Sequence, residues 1–313
     1  MSSLRNAFAN LMVDIGEQDE KIVVIVGDIS HGVLKDFREN HPDRYFNIGI
    51  CEPATVNIAA GLSRVGLIPI VHTIAPFLIE RSFEQIKLDF GYQDLPGNFI
   101  SVGSSFDYSK LGCSHHSYVD VSLMAHLPKS QIFLPGSALE FEIFFRESYK
   151  TKHINYFRLT ENPHEIEIHE KDIKVGKAIT IREGSDLTIL TTGSVLRNCY
   201  EAAEILDQNG ISSEIIYLPT FKPFDSAAVR KSILKTKKFI TVEELSAQDG
   251  LFNSVLRSII GLGGVVGMQM AIFDFLRTYG FYSDLQDAAG LSRDHIVQNA
   301  KALLQEEVRL SND

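Results

Sequence analysis

Short apolar runs alternate with amphipathic segments through the first half of the chain. Residues 21–26 (KIVVIV) form a continuous β-branched run, as expected for a strand that is covered on both faces of a parallel sheet. Similar runs occupy residues 67–71, 98–102, 131–134 and 154–158. Helical periodicity fills the intervals, near residues 53–65, 77–91, 119–125 and 138–149. This alternation predicts βαβ units with right-handed crossovers.

A polar stretch that contains a proline, residues 160–174, interrupts the alternation and is typical of a linker. A second series of strand-like and helix-like segments follows it and ends with a helix start near Ser292. The pattern predicts an α/β protein with two doubly wound domains in series, each a mostly parallel sheet with helices on both faces. We expect the first domain at 1–160, the linker at 161–177 and the second domain at 178–313.

Composition narrows the class of protein. With 44% apolar and 22% charged residues, the chain is typical of a folded globular protein. The net charge of −10 argues against a nucleic-acid partner, since binding phosphates requires clustered lysine and arginine. No apolar run reaches the ~20 residues of a membrane span, and no signal-peptide core is visible. Three cysteines without disulfide or metal spacing favour a cytoplasmic location.

Residues 49–62 (GICEPATVNIAAGL) place one carboxyl group, that of Glu52, between an apolar strand and an apolar helix. Pro53 suits the first turn of that helix. Hydrocarbon surroundings favour the protonated form of a carboxyl group, and such an acid can hold a proton on a ring nitrogen. A helix-terminal acid stabilised by the macrodipole is the structural alternative.

Three ordered motifs carry a resemblance to a known family. The first is the segment 49–62, the second is 77–86 (FLIERSFEQI) and the third is 112–116 (GCSHH). Together they resemble the pyrimidine-binding domain of the transketolase superfamily of thiamine-diphosphate enzymes. The passage from 275–280 (FLRTYG) to Gly290 resembles the C-terminal domain that follows in this family. The resemblance covers nearly the whole chain.

The resemblance implies roles for several residues. Glu52 would be catalytic and, with Ile50 and Phe77, would bind thiamine diphosphate, the phenylalanine ring serving as a stacking surface. Arg81, four residues after Phe77, either lines the site or pairs with a neighbouring acid. His115 would be catalytic and would contact the substrate. The remaining substrate-binding candidates are His116, His72 and Arg158. His72 is a candidate because it lies at the carboxyl end of the predicted strand 67–71.

Parts of the family pattern are missing. The superfamily also has a diphosphate-binding domain, in which a Gly-Asp-Gly motif and a later asparagine hold Mg²⁺. Here Gly27-Asp28 is followed by Ile29, and Asp249-Gly250 lacks the preceding glycine. We therefore expect the Mg²⁺ ligands on a separate diphosphate-binding (N-terminal transketolase) subunit. A heterotetramer with two copies of each chain is the expected assembly.

Two departures concern the substrate. Leu111 stands where the family has an aspartate, and Glu161 stands near the place of a phosphate-binding arginine. The resemblance implies transfer of a two-carbon ketol unit between sugars or sugar phosphates, and the departures favour a modified substrate. A beta subunit of a 2-oxo-acid dehydrogenase and a non-catalytic scaffold subunit of the same fold are the alternatives.

Overall fold

The computed structural model describes residues 3–310, with side chains as far as 305. The described chain forms two compact units. One comprises residues 3–107 and 114–163, and the other comprises residues 108–113 and 164–310.

The strands of the first unit lie in the order β5-β6-β4-β3-β1-β2. They are β1 Ile22–Val26, β2 Tyr45–Asn47, β3 Ile68–Ile74, β4 Gly97–Val102, β5 Ser130–Phe133 and β6 Ile154–Arg158. All of these neighbours pair in parallel. Every residue of β1 is buried, which explains why that strand reads as an uninterrupted apolar run.

Helices cover both faces of this sheet, as α/β topology requires. They are α1 Leu4–Gln18, α2 Lys35–Asn40, α3 Glu52–Arg64, α4 Phe83–Gln85, α5 Asp120–Ala125 and α6 Ala138–Ser148. Ser3 and Ser137 cap α1 and α6 by accepting a backbone N–H of the first turn. Phenylalanines of α6 pack against Phe133 and Phe157 of the sheet.

The helix expected at 77–91 is not one α-helix. The backbone forms a π-helical segment at Pro76–Glu80, turns, makes the short α4 and continues as a second π-helical segment at Ile86–Tyr92. Arg81 N–H donates to the carbonyl of Pro76, five residues back, at 3.0 Å. The prediction of a continuous α-helix is therefore wrong, because side-chain periodicity does not reveal a five-residue hydrogen bond.

The second unit has a five-stranded sheet in the order β12-β11-β8-β9-β7, parallel except for β7, which runs antiparallel to β9. The strands of this sheet are β7 Ile179–Arg182, β8 Leu187–Thr191, β9 Ser213–Tyr217, β11 Lys238–Ser246 and β12 Val266–Ile272. The short strand β10 Thr220–Lys222 lies outside this five-stranded sheet. Its helices are α7 Leu196–Gln208, α8 Ser226–Thr236, α9 Leu251–Ile259, α10 Tyr282–Ala288 and α11 Arg293–Leu310.

The predicted fold class, two mostly parallel α/β domains in series, is confirmed. Two short elements escaped prediction: β7 and α2 are four and six residues long, too short to show periodicity. Within the described part of the chain, no helix has the length and apolar character needed to cross a bilayer.

Candidate functional site

Glu52 is the first residue of α3, and the loop before it is tightly tied. Gly49 adopts φ +77°, a conformation that favours glycine, and its N–H donates to Asn47 Oδ1 at 2.9 Å. The same Oδ1 accepts the N–H of Asp28 at 3.0 Å. Pro53 lies in the first turn of the helix. The backbone therefore fixes where the Glu52 carboxylate stands.

The surroundings of Glu52 differ from the hydrocarbon setting expected from the sequence. Its side chain is 2% exposed, and Arg81 Nη1 donates to Oε2 at 2.7 Å. Ile50 and Ile58, two of the expected apolar neighbours, are 70% and 42% exposed. The expectation of a wholly apolar pocket is wrong, because a guanidinium from a segment 29 residues away reaches the carboxylate.

Phe77, Arg81 and His115 form a continuous cluster with Glu52. The Arg81 guanidinium lies over the Phe77 ring at 4.3 Å, a cation–π contact. The His115 ring meets the Phe77 ring edge to face, with centroids 5.2 Å apart. Arg81 is 44% exposed and the Phe77 and His115 side chains are half-buried, so a ligand can reach this cluster. The three motifs thus meet at one place in the first unit.

His116 is placed differently from His115. It is buried, its Nδ1 lies 2.8 Å from the Tyr118 hydroxyl, and its ring packs near Phe106. The prediction that it contacts substrate is not supported by this arrangement. His115 ends a turn and faces the cluster, whereas the next residue, His116, faces the core.

His72 was expected at a strand end, and this is wrong. Strand β3 continues to Ile74, and His72 is fully buried in its interior. Nδ1 lies 2.9 Å from the carbonyl of Ile100, Nε2 lies 2.8 Å from Ser30 Oγ, and the ring packs on Phe8. Burial lowers the pKa of His72 to about 4, so the ring is a neutral core residue and not a substrate contact.

Arg158 is also a core residue, which corrects its expected substrate role. It is 6% exposed, its Nε donates to Asp120 Oδ2 at 2.7 Å and its Nη2 donates to the carbonyl of Ser117 at 2.8 Å. The Tyr156 hydroxyl donates to the same carboxylate oxygen at 2.6 Å. This buried network holds the loop after His115 to the sheet.

One polar constellation was missed by sequence reasoning. At the carboxyl ends of β1 and β2, His31 Nε2 lies 2.6 Å from Asn47 Nδ2 and 3.2 Å from Asp28 Oδ1. Asp28 and Ser30 both have positive φ, at 55° and 60°. The available signal was position, since polar residues after a buried strand lie where α/β proteins bind ligands.

The described side chains hold no group of three or more histidine, cysteine or acidic residues that could bind a metal ion.

Comparisons with known proteins identify the family. The family model for the transketolase pyrimidine binding domain matches residues 1–164, and the model for the transketolase C-terminal domain matches residues 176–296. The chain belongs to the transketolase family.

Two relatives and one solved structure indicate which kind of transketolase the chain is similar to. The chain is 28% identical to the 6-deoxy-6-sulfo-D-fructose transketolase subunit SqwH of Clostridium sp. (strain MSTE9), covering 95% of this chain and 93% of the relative. It is 30% identical to a subunit of the apulose-4-phosphate transketolase of Phocaeicola vulgatus, covering 83% and 84%. A solved split-gene transketolase, described as an inactive beta4 tetramer, matches with a TM-score of 0.85 and 27% identity, covering 97% and 98%.

The chain is therefore a transketolase-like subunit of a thiamine-diphosphate-dependent transferase family, as the sequence motifs predicted. The same relatives favour a transketolase over a 2-oxo-acid dehydrogenase, the first alternative.

Proposed function

We propose that this chain supplies the pyrimidine half of a transketolase-type active site that transfers a two-carbon ketol unit between sugars. The observation that supports the proposal most directly is the cluster of Glu52, Arg81, Phe77 and His115, which is polar on one side, aromatic on the other and open to ligand. A scaffold subunit would have no need for a buried carboxylate beside an accessible aromatic ring.

The described residues fit the aminopyrimidine end of thiamine diphosphate. Arg81 donates a hydrogen bond to Glu52 Oε2, so Oε1 would be the oxygen that bonds to a ring nitrogen. The half-buried Phe77 ring offers a flat face, and the exposed Ile50 offers apolar contact beside it. When bound, the cofactor supplies the electron sink that carbon–carbon cleavage beside a carbonyl requires.

Glu52 would hold and share a proton at the ring nitrogen, and Arg81 would keep the carboxylate aimed while it does so. A shared proton needs a fixed donor–acceptor geometry, which the tied loop before α3 provides. His115, which packs edge to face against Phe77, would donate a proton or a hydrogen bond to substrate.

Metal and diphosphate would be held by a partner subunit. As a subunit of the split type, the chain works with a partner, and we infer two copies of each chain in a heterotetramer. The domain limits 1–160 and 178–313 are part of the proposal. The three cysteines are free thiols, which supports a reducing, cytoplasmic location.

The substrate is expected to differ from a simple sugar phosphate. Arg158 forms its ion pair with Asp120 and so would not be available to bind a phosphate group. The exposed Leu111 stands where the family has an aspartate. The names of the two relatives specify a sulfo sugar and a sugar phosphate, so modified sugars are the class to test.

Calorimetry with thiamine diphosphate and Mg²⁺ tests the proposal. Binding by the complex of this chain with its diphosphate-binding subunit, but by neither chain alone, is the expected result. A panel of ketoses with free, phosphorylated and sulfonated ends would then define the donor. Equal cofactor binding by the partner alone would refute the split site.

A further inference from the structure

Glu80 is an acidic residue beside the cluster that the proposed function leaves without a role. It ends the π-helical segment Pro76–Glu80 and immediately precedes Arg81. Its Oε1 accepts a hydrogen bond from Ser117 Oγ at 2.8 Å. Because Ser117 is two residues after His115, this bond joins the segment that carries Phe77 to the loop that carries His115.

Ser117 is a well-held anchor for such a link. The residue is fully buried. Its N–H donates to the carbonyl of Ser105 at 2.8 Å, and its own carbonyl accepts Arg158 Nη2 at 2.8 Å. The backbone of Ser117 is thus tied to the core, and its hydroxyl is the group that reaches the π-helical segment.

Charged groups from two other elements act on Glu80: Asp120 of α5 and Arg158 of β6. The other titratable groups of these elements are Tyr156 of β6, which binds the same Asp120, and His115 and His116 of the loop. Arg81 is the residue that follows Glu80 in the chain. Burial raises the pKa of Glu80 to about 7; Asp120 adds to the rise, and Ser117 and Arg158 oppose it. The residue as a whole is nevertheless exposed to solvent.

The geometry points to Glu80 as a positioning residue that holds the His115 loop against the Phe77–Arg81 segment through Ser117, more firmly when it is ionised. A hydrogen bond to a carboxylate is stronger than one to a neutral carboxyl oxygen. The loop should therefore be held more tightly at pH 8 than at pH 6. The structural link does not depend on the proposed function, but its relevance to catalysis does.

Hydrogen exchange of the Ser117 amide in the full chain tests this link, because that amide reports whether the loop keeps its bond to Ser105. After correction for intrinsic exchange, we expect protection about fivefold higher at pH 8 than at pH 6. Glu80→Gln keeps an acceptor oxygen but cannot ionise, so its protection should be independent of pH. Glu80→Ala should lower protection at both pH values.

Glu84→Gln is the matched control, since Glu84 is an exposed acid four residues further along the chain, in α4. This variant should behave like the wild type. Unchanged pH dependence in Glu80→Gln, or none in the wild type, would overturn the inference. In the active complex, Glu80→Gln should also flatten the pH profile of kcat near pH 7. If exchange responds but kcat does not, the link stands and the catalytic role of His115 fails.

Discussion

Each unit contains a buried glutamate whose carboxylate lies at the start of a helix. The two carboxylates differ in the groups that bind them. Glu52 begins α3 in the first unit, with Oε2 bound by Arg81 and Oε1 left for a ligand. Glu243 in β11 lies at the start of α9, where the backbone N–H groups of Leu251 and Phe252 donate to its two oxygens. A buried carboxylate at a helix terminus can therefore bind a ligand only when the protein's own hydrogen bonds leave one of its oxygens available.

Gly250 explains how the Glu243 carboxylate comes so close to the first turn of α9. A Cβ at that position would collide with Glu243 Oε2, so the lack of a side chain at Gly250 gives the carboxylate room at the helix start. Gly250, which with Asp249 lacks the preceding glycine of the metal-binding motif, thus has a structural role. Burial raises the pKa of Glu243 to about 7, against the hydrogen bonds from Leu251 and Phe252.

The largest effect is expected from Glu52→Gln. The amide keeps the size and an acceptor for Arg81 but cannot share a proton, so turnover by the reconstituted complex should fall roughly a thousandfold. The melting temperature should change little. Glu243→Gln is the matched control and should retain turnover at neutral pH; wild-type turnover by Glu52→Gln would contradict the assigned role.

Arg158→Met and Arg81→Met compare two acid–arginine pairs of the first unit, Arg158–Asp120 and Arg81–Glu52. Removing Arg158 leaves Asp120 charged and fully buried, so the free energy of unfolding should fall by about 3–5 kcal/mol. Arg81→Met also leaves a buried carboxyl group, that of Glu52, but it removes a cation that is 44% exposed, so the loss should be smaller, about 1–2 kcal/mol. Urea denaturation at one protein concentration measures both. Equal losses would mean that the Glu52 pair is structural.

Glu243 should make unfolding depend on pH. Its folded pKa lies above its unfolded value of 4.5, so its stabilising contribution is complete below pH 4.5 and is lost as the pH rises through about 7. A rise of that size corresponds to roughly 3 kcal/mol. Glu243→Gln should remove this fall between pH 5 and pH 8, measured by urea denaturation at each pH. An unaltered pH dependence would show that Glu243 is ionised throughout.

The smallest effect concerns the aromatic side of the cluster. Phe77→Leu keeps an apolar side chain but removes the stacking face, so the Kd for thiamine diphosphate in the complex should rise roughly fivefold. Tyr92→Leu, an exposed aromatic in the second π-helical segment, is the control and should leave the Kd unchanged. Calorimetry distinguishes the two. A similar Kd for both variants would remove Phe77 from the site.

The sequence was sufficient to group Glu52, Phe77, Arg81 and His115, because each lies in a local motif and the order of motifs identifies the fold. It could not show that Arg81 pairs with Glu52, since that contact depends on tertiary structure. The error at His72 had a similar cause. Polar residues inside β3 ended the apolar pattern early, although pairing with β4 continues through Ile74 and Val102.

Arg158 is a second residue whose role could not be predicted from the local sequence. An arginine at the end of a buried strand suggests a ligand contact. Only the fold reveals that Asp120, 38 residues earlier, accepts its hydrogen bond. Long-range pairing decides whether a charged residue serves the core or the site, and local pattern does not encode it.

The π-helical segment has a consequence for how this part of the chain can change in length. One π turn equals an α turn with one residue added. Deleting a single residue between Pro76 and Glu80 would therefore restore α geometry, and the chain beyond it would keep nearly the same direction, because the wide turn had absorbed the added residue. The segment can thus lose one residue more readily than it can gain one.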